Sequence, residues 1–131
     1  MSKKLDQAFE RLLGFAAEFP GAHEDHPWGE TVMKVNKKVF IFMGKPSDPE
    51  PCLSFSVKLP SSGAFALAQP YASPTGYGLG KSGWVTFRFR SKDLPPMALM
   101  YEWLEESYRA VAPKKLIKEL DASSGPSGKR S

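Results

Sequence analysis

The chain of 131 residues contains a single cysteine, Cys52. That excludes an intrachain disulfide and any zinc site built on paired thiolates, and it fits a reducing compartment. Long apolar runs are missing too. No stretch reaches the ~18 uninterrupted apolar residues that a membrane-spanning helix needs. The lysines near the N-terminus, Lys3 and Lys4, are followed by Asp6, Glu10 and Arg11 rather than by a signal core. The expectation is a cytoplasmic protein with no membrane partner. Acidic residues are absent from two stretches. Residues 31–45 carry Lys34, Lys37, Lys38 and Lys45 with no Asp or Glu, and residues 81–92 carry Lys81, Arg88, Arg90 and Lys92, again with none. Residues 93–106 reverse the pattern, with Asp93, Glu102, Glu105 and Glu106 and no base. Asymmetry of this kind attracts polyanions.

What is present is enough to build one core. Hydrophobic residues make up 41% of the chain and include nine Phe, four Tyr and three Trp, which excludes a disordered polypeptide. Leu5, Phe9, Leu12, Ala16 and Phe19 recur at helical spacing and predict an opening helix over 3–19, stopped by Pro20-Gly21. Residues 22–30 read as a polar loop. Strands are predicted at 31–35 and 38–43, joined at Asn36-Lys37, because Asn tolerates positive φ in a tight turn. Three prolines make 44–51 a loop.

Residues 53–58 alternate, with Leu53, Phe55 and Val57 on one side and Ser54, Ser56 and Lys58 on the other. A short helix fits 62–69 and a long loop 69–83. Residues 84–90 form the clearest strand, setting Val85, Phe87 and Phe89 against Trp84, Thr86, Arg88 and Arg90. A helix over about 95–112, with Asp93 as its N-cap, buries Met97, Met100, Tyr101, Leu104, Tyr108 and Val111. A last short helix follows at 114–120. The fold class is therefore α+β: a two-layer sandwich, mostly antiparallel, with helices on one sheet face. Residues 1–120 read as a single domain and 121–131 as a disordered tail.

Five segments, in order, carry a resemblance: PGAHEDHPWGE (20–30), KVNKKVFIF (34–42), LSFSVK (53–58), GYGLGKSGWVTF (76–87) and WLEESYRAVAPKKL (103–116). Together they resemble the MmcQ/YjbR family of small bacterial proteins. That resemblance implies a fold similar to type III secretion chaperones and a DNA-binding role through a "double wing" of β-hairpins.

On this reading Lys34, Lys37, Lys38, Arg88, Arg90 and Lys92 contact DNA phosphates. It requires both basic segments to meet on one exposed surface. The ordinary alternative is that these charges merely solvate the outer side of a sheet. Other motifs are weaker. Trp84, with Tyr71 and Tyr77, could stack on an unpaired base, or the 69–83 loop could bury it. His23 and His26 flank Glu24 and Asp25, but no third fixed metal ligand is identifiable, so no metal and no cofactor is expected. GYGLGKSG lacks the Walker spacing and leads into a strand rather than a helix. Trp28, Trp84 and Arg109 could line a small-ligand pocket. No nucleophile, base and acid come together in the pattern, so the chain reads as a non-enzyme. The alternative to DNA binding is a protein-interaction module or a self-associating one.

Overall fold

A computed structural model describes residues 3–26, 31–44, 52–76, 79–90 and 94–122. Helix α1 (Lys3–Ala17) opens the chain. Six strands follow: β1 (Ala22–Asp25), β2 (Thr31–Val35), β3 (Lys38–Gly44), β4 (Cys52–Lys58), β5 (Ala72–Pro74) and β6 (Trp84–Arg90). Helix α2 (Gly63–Leu67) precedes β5, and a single 3-10 turn (Leu79–Ser82) precedes β6. Helices α3 (Met97–Val111) and α4 (Lys114–Ala122) close the fold. The strands form one sheet in the order β1-β2-β3-β4-β6-β5, every pair antiparallel. With the helices packed on one sheet face, this is the α+β sandwich that the residue pattern predicts.

Alternation decides which face the helices cover. Leu53, Phe55 and Val57 of β4 pair with Phe89, Phe87 and Val85 of β6, and all six enter one core with Leu5, Phe9 and Leu12 of α1 and Met100, Trp103 and Leu104 of α3. Aromatic rings join the layers: Phe87 stacks on Trp103 at 5.0 Å, and Phe15 of α1 stacks on Tyr101 of α3 at 4.4 Å.

Three local expectations need correction. Residues 22–25 are a strand, not a loop; β1 pairs residue by residue with β2 from Ala22↔Val35 to Asp25↔Val32. Its polar sequence hid it, but charged side chains are what an edge strand carries. The 69–83 segment holds the other edge strand, β5, and the 3-10 turn. Helix α3 starts at Met97 with Pro96 in the capping position, while Asp93, the proposed cap, lies outside the described residues. The tail from residue 123 lies outside them as well.

The β2–β3 hairpin turns at Asn36, whose φ of 58° is the left-handed conformation that Asn accepts. Across this hairpin Met33 faces Ile41, but Lys34 faces Val39, so Phe40 is left without an opposite residue. The bulge lets consecutive Phe40 and Ile41 both reach the core. At the other end of α1, Gly21 (φ 73°) turns the chain into β1, where a Cβ would meet Leu116 of α4 at 2.8 Å.

The segment Glu106-Ser107-Tyr108-Arg109 of α3 holds these pieces in place. The fully buried Ser107 hydroxyl donates to the Phe40 carbonyl (2.6 Å) and accepts the Lys58 amide (2.8 Å), joining α3 to β3 and β4 at once. Glu106 accepts the amides of Ser61 and Ser62 and the Ser62 hydroxyl. Tyr108 stacks on Phe19 at 4.5 Å and donates to the Pro20 carbonyl at 2.5 Å; burial, then the Glu119 carboxylate, pushes its phenol up to about 12. Arg109 bonds to Glu105 (2.8 Å) and Asp121 (2.6 Å), tying α4 to α3.

Replacing Ser107 by Ala removes one hydroxyl and leaves two backbone groups without it. The expected cost in a denaturant titration is about 2–4 kcal/mol, since each buried unpaired group costs ~1–3 kcal/mol. A change below ~0.5 kcal/mol, the size typical of surface substitutions, would show that the hydroxyl is not a tie.

Candidate nucleic-acid interface

The sheet face turned away from the helices carries the polar half of β4 and β6 together with Val32, Phe42 and Trp84. Cross-strand partners share a face, so the register places Cys52, Ser54, Ser56 and Lys58 of β4 directly beside Arg90, Arg88, Thr86 and Trp84 of β6. The two polar rows that the alternation of 53–58 and 84–90 predicts thus lie side by side, residue against residue. Ser73 of β5 extends the row beside Thr86.

Hydroxyls run across this face in a chain, Ser56 to Thr86 at 2.7 Å and Thr86 to Thr75 at 2.8 Å. The Arg88 guanidinium donates to the Ser73 hydroxyl at 3.1 Å, and the residue stays exposed. Strands β3, β4, β5 and β6 contain no Asp or Glu. The carboxylates of α3 sit in the helical layer behind the sheet. There Glu102, Glu105 and Glu106 line a separate cleft with Arg109.

The candidate phosphate contacts do not meet on one surface. Lys34 shares the open face but bonds to Asp25 of β1 at 2.9 Å. That ammonium, followed by the His26 amide, holds the Asp25 carboxyl below its ordinary range. Lys37 and Lys38 lie at the β2–β3 tip. Ile41 pairs with Val57 while Arg88 pairs with Ser54, so the tip stands beyond one end of β4 and Arg90 at the other. The seven residues of β4, about 20 Å at ~3.4 Å per residue, separate them. Lys38 also pairs with the core residue Val35, which turns it toward the helical layer. Lys92 lies outside the described residues. Arg88 and Arg90 remain together at one end of the open face; Lys58 shares that face but lies four register positions from Arg88 and six from Arg90, and it was not among the expected contacts. Its position at the end of the alternating 53–58 run was the available signal.

The other motifs are also placed. Trp84 is only 8% exposed and packs its ring on Phe42 at 5.3 Å, so it offers no platform to a base. Tyr71 packs on Phe87 and Phe89, and burial raises its phenol. Trp84 belongs to the open face and Arg109 to the helical layer, so these two do not share a pocket; Trp28 and Tyr77 lie outside the described residues. His26 bonds to Glu24 at 2.8 Å. Among the described residues no three His, Cys, Asp or Glu side chains are grouped to hold a metal, and no helix is long and apolar enough to cross a membrane.

A family model described as YjbR matches residues 17–110. The chain belongs to the YjbR family. The match runs from the end of α1 through α3 and includes every strand of the sheet. No curated protein matches the chain significantly.

Trp84 is packed rather than presented. Trp84→Ala should therefore cost about 3 kcal/mol or more in chemical denaturation, as large-to-small changes at buried aromatics do. Unchanged stability would mean that the ring is free to stack on a ligand.

Proposed function

We propose that this protein binds the phosphate backbone of DNA through the open face of β4 and β6, with little sequence preference, and works as a binding protein rather than an enzyme. The observation that carries this reading is the run of adjacent strands, β3 to β5 across the sheet, without a single carboxylate. On it Lys58, Arg88 and Arg90 share one face with a row of hydroxyls. Arginines supply forked donors to phosphate oxygens, lysine a point charge, and the half-buried Ser54 beside Arg88 a short hydrogen bond. The likeness to a family associated with DNA points the same way. Base-specific readout finds no support, because among the described residues no helix is presented for a major groove. The helices lie on the covered side.

A second reading is a protein-interaction module. Phe65 (59% exposed) and Leu67 on α2 favour it, since they show apolar surface that a partner would cover. The two readings part on salt, because apolar association resists it.

Fluorescence anisotropy with a labelled duplex and a labelled single strand, titrated across salt, decides between them. Backbone binding predicts steep weakening with salt. Lys58→Gln, Arg88→Gln and Arg90→Gln together should flatten the log–log slope by about 0.9 for each phosphate that is no longer neutralised. Absence of binding to both strands at low salt would end the DNA reading.

A further inference from the structure

The hairpin tip that stands apart from the open face borders a cleft of its own. It has a volume of about 620 Å³ and is lined by Val35, Asn36, Lys37 and Lys38 from the β2–β3 turn and by Val111 and Pro113 from the α3–α4 junction. We propose that this cleft is a binding site for a small amphiphilic carboxylate, an aliphatic or aromatic acid, with the apolar body on Val111 and Pro113 and the carboxylate between Lys37 and Lys38.

Size is the first argument. Small-molecule sites occupy roughly 300–1,000 Å³ and combine an apolar lining with a few placed polar groups. Here Val35 belongs to the hydrophobic core, and Val111 packs against it. Both therefore give the cleft a fixed wall.

Charge is the second. Neither Lys37 nor Lys38 has a carboxylate partner among the described residues. Residues 33–41 and 111–118, the segments from which the lining residues come, contain no Asp or Glu, and the second segment also carries Lys114, Lys115 and Lys118. The field at the mouth is positive and uncompensated within both segments.

Rigidity is the third. The left-handed Asn36 turn and the β2–β3 pairing fix where Lys37 and Lys38 leave the backbone. Less ordering is then required when a ligand arrives. A purely polar anion would leave the valine and proline surface unused, and a neutral apolar molecule would leave two ammonium groups unanswered. An acid with an apolar body satisfies both.

Amide shift mapping on the full chain tests this, with sodium octanoate as the probe and acetate and octylammonium as controls. Octanoate should move the amides of residues 35–38, 111, 112, 114 and 115. Acetate should act far more weakly and octylammonium not at all. Lys37→Gln with Lys38→Gln should weaken octanoate binding about tenfold or more, the effect expected for losing charged hydrogen bonds. Val111→Trp should block it by filling the cleft while keeping both lysines. Octanoate shifts scattered over the surface, shifts centred on Arg88 and Arg90, equal response to octylammonium, or no response at millimolar acid would each overturn the proposal. Because these lysines lie an entire strand length from Arg88 and Arg90, failure here leaves the DNA reading standing, and the reverse holds as well.

Discussion

One hydroxyl settles how charge is distributed over this protein. Ser107 sits at the crossing of α3 with β3 and β4, donating to the Phe40 carbonyl and accepting from the Lys58 amide. Its neighbours bind three further segments: Glu106 the β4–α2 connection, Tyr108 the turn after α1, and Arg109 the last helix. Four successive residues thus make four different connections. Small sandwiches gain their stability from apolar burial, but burial is indifferent to direction. Hydrogen bonds with fixed partners choose one docking angle among several that would hide similar area.

Fixing α3 in this way separates the charges. The acidic residues of the helix stay behind the sheet, while Arg88 and Arg90 stay exposed on its other face. A carboxylate on the far side of a packed sheet neutralises its opposite face only weakly, since distance and solvent both screen it. Only β1 brings acids onto the sheet itself, and there Asp25 takes Lys34 while Glu24 takes His26. The open face therefore divides into a margin where Asp25 pairs with Lys34 and a carboxylate-free stretch on β4 and β6 that ends in the exposed Arg88 and Arg90. The same docking raises the α3–α4 junction against the β2–β3 tip and creates the cleft between them.

Much of this arrangement is legible in the residue order alone. Alternation in 53–58 and 84–90 identifies the strands and their exposed halves, because a period of two admits one half-buried solution. Asn36 marks its turn, and the bulk of Trp84 argues for burial. What escapes has physical causes. A four-residue edge strand made of Ala, His, Glu and Asp has no apolar period to detect, and a three-residue strand ending in proline has hardly any. The bulge at Phe40 arises from pairing, not from local preference. The division of the basic residues escapes for the same reason. Lysines four residues apart look equivalent in a sequence, yet register sends Lys34 to a carboxylate and Lys38 to the opposite layer. Whether two basic segments share an end of a sheet depends on strand order and direction, which no local pattern encodes. The YjbR resemblance carried by five short segments is confirmed by a family match over most of the same region.

The central claim is that the two faces of the sheet have different tasks, one packing helices and the other meeting a polyanion. Backbone amide shift mapping with a short duplex at low salt tests it most directly. The account predicts changes concentrated along β4 and β6, at residues 54–58 and 84–90, with α1 and α3 silent. Changes centred on the helical layer, or on the β1 margin where the acids lie, would contradict it.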